Sequence, residues 1–261
     1  MKQGPLDALP LWALFLVNVA FVLISIEVGY RIGRRGRERS VSDKPQPIGS
    51  IVTATLGLLA FLLTYTFGLG ATRFDARRHV LIDEANAVKT AFLRADVLPG
   101  PERAEVRRLL IDYVDVRLSA LRSGLPRAVA RSEELHDEMW RHAIAAADRS
   151  PGSIPVGLLM QSLNDVIEMH TRRVALVLRG RIYGAIWIAL YVVAFSSMGV
   201  MGYYMGLHRT GRSIATLALA LSFSSVMWLI ADLDRPLEGA IQVSFEAMRD
   251  LEDFMKTRAG S

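Results

Sequence analysis

The chain has 261 residues, of which 51% are hydrophobic and 22% charged, and its mean hydropathy is +0.27. That is more apolar surface than a soluble core of this length takes up, and it is gathered in blocks almost free of charge, which excludes an ordinary soluble domain. Cysteine is absent and the net charge is +5. The first excludes a disulfide framework, a thiolate zinc site and a cysteine nucleophile. The second comes almost wholly from arginine in stretches that lack interleaved aromatics, which points to topology and anionic headgroups rather than to nucleic acid.

The first apolar block, residues 9–30, is closed by Arg31, Arg34, Arg35, Arg37 and Arg39. It is longer than a signal-peptide core and has no small-x-small cleavage pattern, so it is expected to be a retained span. A linker with Pro45 and Pro47 leads to a second block, residues 48–72. Residues 73–181 then lose the continuous apolar character and show apolar positions three and four apart among charges, which predicts helices. One helix is expected to run on from the second span to Leu98, where Pro99-Gly100-Pro101 stops it. Further helices are expected over 102–122, from Pro126 to Arg149, and from near Pro155 without interruption into a third span, residues 182–206. A fourth block, 214–231, follows a short loop with His208, Arg209 and Arg212, and residues 232–261 suit a short amphipathic helix. The expected fold is all-α: an integral membrane protein with four transmembrane helices in two hairpins, 1–72 and 182–231, and a helical-bundle domain, 73–181, inserted between them.

The two short loops that share a side carry Arg31, Arg34, Arg35, Arg37, Arg39 and Lys44, and Arg209 and Arg212. By the positive-inside rule that side is cytoplasmic, and both termini and the domain are expected outside it, across a bacterial inner membrane. Arginines that flank the spans on the domain side, such as Arg73, Arg77, Arg172, Arg173 and Arg181, weigh the other way, but charges beside long domains are weaker topology signals.

The second span carries Ser50, Thr53, Gly57, Phe61, Thr64, Gly68 and Thr72 near one helix face. Polar groups inside a bilayer need partners or water, so this face either packs closely on other helices or lines a conduit. Just beyond it, Arg73, Arg77, Arg78, Glu84 and Asn86 suit either a buried polar network between helices or a charged vestibule. Glu27 lies four residues before Arg31, the spacing of a local ion pair; Asp232 and Asp234 at the end of the fourth span are candidates to pair with arginines around Arg181 and fix the ends of the second hairpin. His136 and His142 lie among acidic residues, but a spacing of six does not put both on one helix face, so no metal site and no cofactor is expected. No phosphate-binding loop, nucleophile elbow or zinc-protease motif is present, and no enzyme chemistry is expected.

The stretches Glu27-Val28-Gly29-Tyr30-Arg31-Ile32-Gly33-Arg34-Arg35, Gly57-Leu58-Leu59-Ala60-Phe61, Arg73-Phe74-Asp75-Ala76-Arg77-Arg78, Glu84-Ala85-Asn86-Ala87, Leu93-Arg94-Ala95-Asp96-Val97-Leu98-Pro99 and Asp232-Leu233-Asp234-Arg235-Pro236 together resemble the bestrophin-like domain family of bacterial membrane proteins. The resemblance covers nearly the whole chain. The family's name points to bestrophins, pentameric anion channels with four spans per subunit and a pore lined mainly by the second. By that analogy the chain is expected to form a homo-oligomer in membrane lipid and to pass chloride or another small anion. It departs from the bestrophin pattern in its expected orientation and in having no acidic calcium clamp. The alternative is a non-conducting sensor or scaffold whose helical domain binds a partner.

Overall fold

The computed structural model describes residues 9–39, 48–98, 100–208, 214–235, 241 and 244–259. Lys44, Arg209 and Arg212, which enter the orientation argument, lie outside the described residues, as do Pro45, Pro47, Pro99 and Pro236. The described residues form eight helices and no strand: α1 (Leu11–Arg39), α2 (Ile48–Ala95), α3 (Glu102–Ser123), α4 (Leu125–Arg149), α5 (Ile154–Arg179), α6 (Gly184–Leu207), α7 (Ile214–Asp234) and α8 (Glu246–Ala259). Four of them, α1, α2, α6 and α7, are long and apolar enough to cross a membrane. The chain divides into two compact units, Met1–Phe74 with Arg181–Gln242, and Asp75–Gly180 with Val243–Ser261. Helix α2 is 48 residues long and gives its first part to one unit and its second part to the other.

The first unit is held by a glycine seam. Leu14, Asn18, Val22, Ser25, Ile26, Gly29 and Gly33 recur three and four apart on the buried side of α1, and α1 packs against α6 and α7. A Cβ added at Gly29 would sit 1.9 Å from the Gly199 carbonyl oxygen, and one at Gly202 would sit 2.1 Å from that of Ile26. Gly33 meets the Tyr203 carbonyl and Gly206 that of Tyr30 in the same way. Backbone therefore lies on backbone, the close approach that small residues permit where lipid removes the hydrophobic drive for helix association. The partners rise together along the two helices, so α1 and α6 run parallel. Tyr191 Oη donates to Asn18 Oδ1 at 2.8 Å farther along the seam, and Ser197 Oγ donates to the Thr55 carbonyl of α2 at 2.9 Å.

The second unit is a helical bundle. Val88, Phe92 and Ala95 of α2, Leu109, Leu110 and Tyr113 of α3, Leu135 and Met139 of α4, and Leu159 and Leu163 of α5 fill one core. Glu102 and Glu105 occupy the first turn of α3, where carboxylates favour the positive end of the helix dipole. The single residue between α3 and α4, Gly124, has φ +87°, a conformation that side chains resist.

One local expectation is not met. The helix from Pro155 does not continue into the third span: α5 ends at Arg179, the Gly180 N–H bonds back to the Leu176 carbonyl, and α6 starts afresh at Gly184. A Cβ at position 180 would lie 2.2 Å from that carbonyl, so glycine allows the chain to turn there. The short amphipathic helix expected in the C-terminal segment is α8, which packs on α3 and buries Met248, Leu251 and Met255 in the bundle core. Phe254 meets Phe92 edge-on at 6.5 Å, and Arg107 Nη2 donates to the Arg258 carbonyl at 2.9 Å.

Gly29→Ala and Gly202→Ala are expected to force α1 and α6 apart and to lower stability by about 1–3 kcal/mol each, as overpacking does. Gly157→Ala, whose new methyl meets nothing within 4 Å, is expected to leave stability unchanged or slightly raised. Thermal unfolding in nanodiscs compares the three; equal melting temperatures would remove the seam from the account.

Candidate functional site: the bare face of α2

Helix α2 is the span least covered by the rest of the chain: 6% of its most apolar stretch is buried, against 28% to 39% for the other three. Its bare side is not uniformly greasy. Ser50, Thr53, Gly57, Phe61, Thr64, Gly68 and Thr72 are all exposed, Phe61 at 65%, and Cβ atoms added at Gly57 or Gly68 would meet nothing within 4 Å. These positions repeat at eleven residues, as in Ser50, Phe61 and Thr72, or Thr53 and Thr64. Eleven residues are close to three helical turns, so the stripe stays on one side along the span. The hydroxyls of Thr53, Thr64 and Thr72 donate to the carbonyls four residues back, at 3.1, 2.9 and 2.9 Å. Each proton is thereby satisfied within the helix and each oxygen keeps lone pairs free to meet water.

The five residues assigned beyond the span divide by helix face. Arg78 and Asn86 are exposed, as are Asp75, His79 and Asp83. Arg73, Arg77 and Glu84, spaced four and seven apart, lie on the opposite side of the helix. Arg73 is half-buried with its guanidinium 5.7 Å over the Tyr183 ring, and Arg77 is buried. Glu84 is wholly buried, so of the two arrangements open to this stretch it takes the network and has no place at a vestibule.

That network joins four helices of the second unit. Glu84 Oε1 accepts from the Tyr113 hydroxyl and from Arg117 Nε at 3.1 Å, and Arg173 Nε approaches Oε2 at 3.0 Å. Arg173 Nη2 lies 2.9 Å from His170 Nδ1. The His136 ring packs 5.0 Å from that of Tyr113 and 4.9 Å from that of His170. Burial pushes the Glu84 carboxyl up, but Arg117, Arg173 and the Tyr113 hydrogen bond together hold it below the ordinary value. Burial, then the Glu84 charge, push the Tyr113 phenol well above its usual range. Sequence reasoning singled out Glu84 but not its partners. Tyr113 and Arg117 are four apart, and His170 and Arg173 three apart, on faces that otherwise carry core residues; polar groups at core positions were the available signal.

The remaining candidates are local. Arg31 Nε donates to Glu27 Oε1 at 2.7 Å. Asp234 Oδ1 accepts the Ile182 N–H at 2.8 Å and Asp232 Oδ2 that of Ile241 at 3.0 Å, while the neighbouring Arg181 is half-buried. Asp234 thus ties the end of α7 to the residues before α6. His136 turns to His170 and not to His142, and among the described residues no group of three His, Cys, Asp or Glu is placed to hold a metal.

The sequence model of the bestrophin-like domain matches residues 17–248. The chain belongs to the bestrophin-like domain family. Its structural neighbours agree in fold: a bacterial bestrophin homologue from Klebsiella pneumoniae, phased on zinc, superposes with a TM-score of 0.71 at 14% identity, covering 97% of this chain and 99% of that one. A single-substitution variant of a bestrophin homologue from the same organism gives 0.69 at 13% identity, covering 96% and 99%. No curated protein compared with the chain matches it. In this bestrophin-like chain the glycine seam, the bare α2 stripe and the Glu84 network are features of its own residues.

Glu84→Gln leaves two buried guanidiniums facing a neutral amide and is expected to cost about 3–5 kcal/mol, whereas Tyr113→Phe costs about 1–3 kcal/mol. Denaturant unfolding followed by tryptophan fluorescence and circular dichroism measures both. A Glu84→Gln protein as stable as wild type would mean that the network does not hold the bundle.

Proposed function

We propose that the chain assembles with copies of itself into an ion channel in the bacterial inner membrane, with α2 of each copy lining a central path. The observation that carries this is that all seven stripe residues are exposed on the least covered span. Facing lipid, a line of hydroxyl and glycine positions would gain nothing; facing a water-filled axis, it supplies free lone pairs and a narrow wall. The bestrophin-like family and fold support the same reading. Phe61, the only large apolar member, forms the neck, where a ring of phenyl groups gates by dewetting. In this reading the four spans form two hairpins with the helical domain inserted between them, and both termini and that domain face away from the cytoplasm.

By analogy with bestrophins the permeant ion is a small anion such as chloride, with Arg78 and Asn86 as the exposed members of the collar. A second reading has its own support. Arg73 and Arg77 are turned away from the stripe, while Asp75 and Asp83 are exposed, and rings of carboxylates favour cations.

Native mass spectrometry of nanodisc-extracted protein is expected to show a ring of several copies, because one helix per subunit cannot enclose a path in a monomer or dimer. In planar bilayers under a potassium chloride gradient, the sign of the reversal potential separates the anion from the cation reading. Phe61→Ala is expected to raise conductance several-fold. A monomer or dimer, or bilayers that stay silent with wild type and Phe61→Ala alike, would leave a sensor or scaffold in place of the channel.

A further inference from the structure

The Glu84 network contains two groups that its stability does not require to be titratable. His136 and His170 are 5% and 3% exposed, and the Nε2 atom of each is buried without a hydrogen-bond partner. Arg173 Nη2 donates to His170 Nδ1 at 2.9 Å, so that nitrogen is an acceptor and the ring's single proton sits on Nε2. Adding a second proton would place an N–H against the guanidinium that now donates to it, exchanging a hydrogen bond for a like-charge contact. His136 lies between the Tyr113 and His170 rings, where an imidazolium would bury a charged donor with no acceptor. Two imidazoles side by side invite a metal, but the tautomer of His170 and the two guanidiniums oppose a cation.

The charges that face these rings come from every helix of the cluster: Glu84 on α2, Tyr113 and Arg117 on α3, Asp137 beside His136 on α4, and Arg173 on α5. One buried carboxylate already answers two buried guanidiniums, and Asp137 is exposed, so a further proton in the cluster finds no second buried counter-charge. We propose that His136 and His170 form an acid-triggered release in the helical bundle, staying neutral while α2 to α5 are packed and taking up protons when the bundle opens, so that acidification loosens it.

The pH window follows from the environment of each ring. Burial, reinforced by Arg173 and opposed by Glu84, holds His136 down to about 4; burial, then Arg173 and His136, hold His170 down to about 3, both from an ordinary 6.5. The opened bundle therefore binds protons below pH 6.5 that the packed one refuses. Its stability is complete above that value and falls as pH drops toward the packed-state values. The Glu84 carboxyl is held below its ordinary 4.5, so it remains ionised through the upper part of this window and does not set the onset.

Hydrogen–deuterium exchange of the full chain in nanodiscs, corrected for intrinsic rates, tests the release from about pH 7.5 to about pH 4.5. Peptides within residues 102–179 are expected to exchange roughly tenfold faster or more at the acid end, and His136→Gln/His170→Gln is expected to flatten that dependence. Should the double variant fail to fold, histidine C2 exchange in the wild-type protein reads the two rings directly, with midpoints expected below about pH 5. Wild-type protection that survives to the acid end, a double variant with the wild-type profile, or either ring titrating near its ordinary value would each overturn the proposal.

Discussion

Every polar group inside a bilayer must meet a partner or water, and α2 is where this chain turns a line of hydroxyls and glycines away from its own packing. The other spans bury more of their polar groups among themselves. α1 and α6 lie backbone to backbone through Gly29, Gly33, Gly202 and Gly206, and Asn18 is met by Tyr191. On α2 the inward residues serve the cores of both units in turn, Leu59 in the first and Val88 and Phe92 in the second. The outward side carries hydroxyls and glycines that no described part of the chain covers. In the proposed assembly, further copies of the same helix around a water-filled axis would answer that face without any change in the fold.

The same rule operates in a different solvent at Glu84. A carboxylate without exposure survives only because Tyr113, Arg117 and Arg173 reach it from two other helices. Such an arrangement contributes little net stability against an apolar core, yet removing one partner strands the rest. It therefore specifies how α2, α3 and α5 must register, and it makes the bundle sensitive to any added charge.

The four spans and the stripe on α2 were legible because both depend on local periodicity, which a helix converts directly into faces. Three features were not. The stop at Gly180, between Arg179 and Arg181, is hidden because apolar runs resume on both sides of that short stretch, and only the turn geometry shows why the helix ends. Helix α8 looked like a free amphipathic segment because its apolar face, Met248, Leu251 and Met255, names no partner until α3 is beside it. Arg117 and Arg173 give no sign of their partner in the sequence because the carboxylate they answer is 33 and 89 residues away in the chain. The face that carries Arg77 and Glu84 left a network between helices and a charged vestibule equally open, and only the partners on α3 and α5 show that the carboxylate is bound in a network.

The central claim is that the α2 stripe faces water and not lipid, and the absence of native cysteine makes it directly measurable. Single spin labels at Thr64→Cys and Gly68→Cys in the reconstituted protein report relaxation by a water-soluble nickel chelate against relaxation by lipid-soluble oxygen, with Ile188→Cys on the exposed side of α6 as the comparator. The account predicts that the nickel chelate dominates at both stripe positions while oxygen dominates at position 188. Oxygen dominating at all three would place the stripe in lipid and contradict it.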